Sequence, residues 1–203
     1  MISVLLVDDQ ALIRQAFAAL LELETDLTVV GQAADAAIAV EVVAARRPDV
    51  VLMDVQLGAG EDGLSATARI TAAHPGTRVI VLTTFGRPGY LRRAMEAGAV
   101  GFIVKDAPAD RLVEAIRRVH RGLRVVDPAL AAASLSIGTS PLTDRETEVL
   151  AAAAGGETTS AIAASVFLTE GTVRNHLSAA MGKLGAGSRA EAVRIATDNG
   201  WLS

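Results

Sequence analysis

The sequence predicts an α/β fold, a doubly wound five-stranded parallel sheet, followed by a second, all-α domain of four helices. Three observations predict it. Over the first 126 residues, five short runs rich in Val and Ile alternate with segments whose apolar residues recur every three to four positions. That alternation implies buried parallel strands covered by helices on both faces. The pattern then weakens between Asp127 and Ser140, and from Pro141 onward only helical periodicity remains. The boundaries read 1–124, a linker at 125–140, and 141–203.

The elements follow in order. Ile2–Val7 is a continuous apolar run that ends at Asp8-Asp9. Leu12, Phe17, Leu20 and Leu21 mark the first helix, and Thr28–Val30 the second strand. Ile38, Val42 and Val43 mark the next helix. Val50–Met53, Val79–Leu82 and Val100–Val104 are the remaining strands, and Leu112, Ile116 and Val119 face inward from the helix after them. In the second domain Thr143, with Glu146 three residues on, has the pattern of a capping box. Glycines at 155–156 and 185–187 break the later helices.

Composition excludes several functions. Hydrophobic residues make up 51% of the chain, enough for a core, while the absence of cysteine removes disulfides, thiolate metal sites and thiol catalysis. His74, His120 and His176 are scattered, so no histidine metal cluster is expected; His74 and His120 read as surface residues. The N-terminus lacks a basic stretch and a small-residue cleavage site, and no apolar run reaches the roughly 18 residues of a membrane span. A cytoplasmic protein without membrane insertion is expected. The net charge of −4 argues against a mainly electrostatic nucleic-acid binder.

Ligands of such sheets bind outside the carboxyl ends of the strands. Asp8 and Asp9 end the first strand and Asp54 ends the third. With strand order 2-1-3-4-5 these strands are neighbours, so three carboxylates converge. They repel one another unless a cation sits among them, and oxygen-only ligation favours a hard divalent ion such as Mg²⁺. Thr83 ends the fourth strand and Lys105 the fifth. Carboxylates, cation, hydroxyl and ammonium together are what phosphoryl transfer to an aspartate needs, with Asp54 as nucleophile. Any one of these residues alone is more often a cap or a turn residue; the coincidence of five carries the reading.

Val4–Asp9, Val51–Asp54, Val81–Thr83 and Ala97–Asp106 resemble the matching strands of bacterial response-regulator receiver domains, which are flavodoxin-like. The resemblance implies that Asp54 is phosphorylated by a sensor histidine kinase. It implies that Asp8, Asp9, Asp54 and the main-chain carbonyl of Gln56 form the Mg²⁺ site. It also implies that Thr83 reaches for the phosphoryl group and that Phe102 turns inward as a paired switch. One departure lies in residues 55–63, where Gly58 replaces a usual proline and Gly63 comes one residue late, which should loosen the loop.

Between Thr159 and Lys183 two helical patterns flank a short break. Val173, Leu177, Met181 and Leu184 form one stripe of the second helix, leaving Arg174, Asn175 and Ser178 outward, with Thr172 near its start and Thr169 as N-cap. Arg and Asn suit base edges and hydroxyls suit phosphates. By pattern alone, an ordinary amphipathic helix with a solvated polar face is the commoner explanation. The wider segment resembles the DNA-binding domain of the NarL/FixJ (LuxR-type) regulators: Leu142–Leu150, Glu170–Leu177, Lys183–Gly185 and Ser188–Val193 match. Thr83–Tyr90 is most similar to a DesR-like subgroup. The resemblance implies double-stranded promoter DNA as partner, with Thr169, Thr172, Arg174, Asn175, Ser178 and Lys183 in contact.

Residues 141–203 hold five basic and seven acidic groups, a net of −2. A single copy should bind DNA weakly, so a homodimer on paired half-sites becomes necessary. The expected function is a phosphorylation-controlled transcription regulator and not an enzyme. An aspartate-nucleophile phosphohydrolase would carry a second Asp two positions after Asp54, where this chain has Gln56. A regulator that uses the first domain for dimerisation or ligand sensing without phosphorylation stays as the alternative.

Overall fold

The computed structural model describes all residues except 59, 60, 85, 137, 139 and 203. The backbone divides into two compact units. The first contains β1 (Ile2–Val7), α1 (Ala11–Glu22), β2 (Leu27–Ala33), α2 (Ala36–Arg46), β3 (Val50–Asp54), α3 (Gly63–Ala73), β4 (Arg78–Thr83), α4 (Pro88–Glu96) from Leu91 onward, β5 (Gly101–Val104) and α5 (Ala109–His120). The strands pair in the order β2-β1-β3-β4-β5, all parallel. This is the doubly wound sheet expected from the alternating pattern.

Strand side chains alternate between the two faces, so each strand buries two sets of residues. Val4, Leu6, Val50, Leu52, Ile80 and Leu82 pack with Ala18 and Leu21 of α1 and with Leu112, Ile116 and Val119 of α5. The intervening Leu5, Val7, Val51, Met53, Val79 and Val81 are buried on the opposite face, toward α2 and α3. With both faces filled, the polar ends of the strands are the open part of the sheet. Of the two histidines expected at the surface, His120 is exposed, whereas His74 is half-buried at the C-cap of α3, donating its N–H to the Ile70 carbonyl.

The stretch expected as a plain linker begins as part of this unit. Val125 forms a parallel bridge with Gly101, donates to the Val100 carbonyl at 3.0 Å and accepts from the Phe102 N–H at 2.9 Å. It is followed by α6 (Pro128–Ser136), opened by Asp127, whose carboxylate accepts from the N–H groups of Ala129 and Leu130.

The second unit holds α7 (Asp144–Ala152), α8 (Thr159–Ser165), α9 (Glu170–Leu184) and α10 (Arg189–Asp198). Each has a hydroxyl residue at its N-cap, Thr143, Thr158, Thr169 and Ser188, accepting from the N–H three residues on. The core joins Val149 and Leu150 to Ile162, Ala163, Val173, Leu177, Ala180, Ala192 and Ala196. Among the described residues, no helix is long and apolar enough to cross a membrane.

Candidate functional site

The pocket at the strand ends is built by register. Asp8 follows β1, its N–H held by the Ala33 carbonyl, and Asp54 is the last residue of β3. Thr83 closes β4 and accepts, through its carbonyl, the N–H of Lys105 at 2.7 Å. Four neighbouring strands thus stop at one level and deliver their terminal side chains to one place.

Lys105 Nζ donates to Asp8 Oδ2 at 2.6 Å and to Asp54 Oδ2 at 2.8 Å. Asp8, Asp54 and Thr83 are buried, while Asp9 stands exposed at the rim. One carboxylate oxygen from each of Asp8, Asp9 and Asp54 lies within 4.8 Å of the others. Three negative groups face one ammonium, which leaves an excess of negative charge. Burial pushes the Asp54 carboxyl above its ordinary range, and the charge of Asp8 adds to that; the Lys105 hydrogen bond and the Gln56 N–H pull the other way without prevailing. Burial disfavours the Lys105 ammonium, but its bonds to Asp54 and Asp8 outweigh that and raise its pKa. The all-oxygen donor set and the uncompensated charge fit a hard divalent cation.

Two contributors, Arg14 and Asp62, escape the sequence reading, and Gly63 reads there only as a loop residue. The Arg14 guanidinium, one turn into α1, donates to the Asp8 main-chain carbonyl and fixes the end of β1. Asp62 caps α3, accepting from the Ser65 N–H at 2.7 Å, and pairs with Arg93 of α4 at 3.1 Å. Gly63 has no room for a side chain: a methyl there would sit 1.8 Å from the Asp54 carbonyl oxygen, and its N–H donates to the Val55 carbonyl at 3.0 Å. Gly63 therefore sits directly against the end of β3. Gly58 has φ +69°, which proline cannot adopt, so this loop turns differently and is more than a looser copy of a proline turn.

Phe102 is already inside, 2% exposed, so this conformation leaves it no inward turn to make. Phe85, Tyr90 and Leu91 are the apolar residues after Thr83 that a dimer interface could use; Phe85 lies outside the described residues and Leu91 is buried at 3% exposed. Tyr90 is half-buried with the Arg87 guanidinium 5.8 Å over its ring.

In the second unit the α9 stripe divides as expected. Val173, Leu177 and Ala180 are buried and Met181 and Leu184 pack beside them, while Arg174, Asn175 and Ser178 are exposed. Thr169 caps α9, and its hydroxyl is 2.9 Å from that of Thr172. Arg174 pairs loosely with Glu170 at 3.4 Å. Lys183, expected in contact with DNA, has a partner inside the unit: its Nζ donates to Glu146 Oε2 at 2.7 Å, and Glu146 is buried. The same carboxylate accepts the Thr143 N–H at 2.7 Å, completing the capping box. The Lys183 bond, with that N–H, holds Glu146 below the usual glutamate range.

Residues 4–117 match the response regulator receiver domain family, and residues 140–196 match the bacterial regulatory proteins of the luxR family. The transcriptional regulatory protein DesR of Bacillus subtilis is 41% identical over 202 residues, the whole of both chains. The response regulator RamR of Streptomyces coelicolor is 40% identical over 99% of this chain and 98% of its own. The crystal structure of ChrA, a response regulator of a heme-sensing two-component system, aligns with 97% of this chain and 96% of its own. That alignment has TM-score 0.59 and 33% identity.

Proposed function

The chain belongs to the LuxR-type response regulators of two-component systems, transcription regulators rather than enzymes, and from that premise we propose that Asp54 is its phosphoacceptor. One observation carries the assignment: Lys105 bridges Asp8 and Asp54, with the oxygens of Asp8, Asp9 and Asp54 within 4.8 Å of one another. An Asp54 carboxylate oxygen attacks the phosphorus of a phosphohistidine on a sensor kinase. The P–N bond breaks, its electron pair leaves with the imidazole, and an acyl phosphate forms. Asp8, Asp9, Asp54 and the Gln56 carbonyl would hold Mg²⁺, which neutralises phosphoryl oxygens when bound. Lys105 exchanges its bond to Asp54 for the new phosphoryl oxygens, and the Thr83 hydroxyl supplies a further donor.

The phosphorylated form dimerises and places two copies of α9 on promoter DNA in the cytoplasm. Thr169, Thr172, Arg174, Asn175 and Ser178 make the contacts, while Lys183 holds α9 to α7. The exposed face of α9 and the four N-capped helices support this reading. Incubation with acetyl phosphate and Mg²⁺ followed by intact-mass measurement tests it. The wild type should gain one phosphoryl group and Asp54→Asn none. Gly58, whose backbone departs from a proline turn, favours one second reading: a receiver that dimerises without phosphorylation, for which the wild type would gain no mass and still dimerise.

A further inference from the structure

The turn between α8 and α9 holds a residue that the fold of this unit does not explain. α8 ends in a Schellman arrangement, with the Leu168 N–H donating to the Ala163 carbonyl at 3.0 Å. The residue that must then be left-handed is usually glycine, and here it is Phe167, at φ +54°. α9 ends on the usual solution, Gly185 at φ +62°. Phe167 is also 94% exposed, the most exposed large apolar side chain among the described residues. A bulky side chain strains this backbone region, and an exposed ring gains nothing from burial. Two independent costs fall on one residue, and Gly or Asn would avoid both.

Position and charge indicate what covers the ring. Phe167 lies two residues before Thr169, so it is continuous in sequence with the N-terminal end of α9. α9 is poor in free positive charge: near its start Arg174 pairs with Glu170, in its last turn Lys183 pairs with Glu146, and residues 141–203 carry a net −2. A reader short of phosphate-neutralising cations needs contacts of another kind. We propose that Phe167 is a DNA-contacting residue whose ring packs against deoxyribose of the backbone beside the α9 N-terminus. This rests on α9 being the reader. A sugar contact is apolar and indifferent to sequence, and it releases no counterions.

The test uses the full-length protein and a fluorescein-labelled mixed-sequence DNA duplex, titrated at several salt concentrations. Phe167→Asn and Phe167→Gly both suit the left-handed turn. Each should raise the thermal midpoint of the second unit by roughly 2–4 °C. Each should also weaken binding roughly tenfold for a dimer that makes the contact twice, with the salt slope unchanged. Arg174→Ala should weaken binding and flatten the slope by about one per copy. If the Phe167 variants bind like wild type while Arg174→Ala does not, the ring is not a DNA contact but α9 remains the reader. Unchanged binding by all three overturns both assignments. A lower midpoint in both Phe167 variants would mean that the ring packs within the unit, which also overturns the proposal. So would intact DNA binding with lost transcription by purified polymerase, which would assign the ring to that protein.

Discussion

Lys105 Nζ stands 2.8 Å from Asp54 Oδ2, so the residue that would accept a phosphoryl group is already held by the cation that would receive its charge. Asp8 shares that cation at 2.6 Å. Removing it leaves two buried carboxylates without a counter-charge. Lys105→Ala should destabilise the first unit by about 3–5 kcal/mol without divalent ions. Added Mg²⁺ should raise its thermal midpoint more than that of the wild type, because the ion replaces the missing charge. Equal Mg²⁺ effects on the two proteins would count against a metal among these carboxylates.

Gly63 is the tightest point of the site. Gly63→Ala places a methyl 1.8 Å from the Asp54 carbonyl, so β3 or α3 must move. The expected cost is at least about 3 kcal/mol, with loss of phosphoryl labelling, read by circular dichroism and intact mass. Gly76→Ala, which meets nothing within 4 Å, is the control and should do neither.

Glu146 gives the second unit a pH signature. Its carboxyl is held below the ordinary range by Lys183 and the Thr143 N–H, so it binds protons less readily folded than unfolded. The stability it contributes is present above the unfolded value and is lost as pH falls through the folded one. Thermal midpoints of the wild type should drop on acidification below the usual glutamate range. Glu146→Gln should start lower and show a shallower drop over the same interval.

On α9, Arg174 is exposed to solvent and Leu177 is buried in the core of the second unit. Arg174→Ala should weaken operator binding by roughly 2–6 kcal/mol, two contacts per dimer, and leave the fold intact. Leu177→Ala should cost roughly 2–5 kcal/mol of stability and lose binding with the fold. Circular dichroism with titration of a promoter fragment separates the two; a folded Arg174→Ala with wild-type affinity would remove α9 from the interface.

Phosphorylation should convert monomer to dimer in sedimentation at micromolar concentration. Leu91 is buried, so Leu91→Ala should act through stability, whereas an interface residue would change association alone.

The sheet was legible because its signal is local: five Val- and Ile-rich runs, four of them ending at a chemistry-bearing residue, Asp8, Asp54, Thr83 or Lys105. The capping box at Thr143 and Glu146 was legible for the same reason. What escaped depends on partners distant in sequence. Arg93 meets Asp62 across 31 residues, and Lys183 reaches Glu146 across 37. No periodicity marks either pair. Lys183 reads as a DNA contact by resemblance, because only the packed bundle shows which carboxylate lies beside it. The need for Gly63 likewise appears only once the Asp54 carbonyl is in place.

The bridge between Val125 and Gly101 has a practical consequence. β5 is an edge strand, and an open edge invites another chain to pair with it. Val125 fills part of that edge, satisfying the Phe102 N–H and the Val100 carbonyl. A receiver cut after residue 124 would expose both groups and leave a short β-rich rim free to template aggregation. Excision after Ala131 keeps the edge closed, and it retains the two N–H groups capped by Asp127.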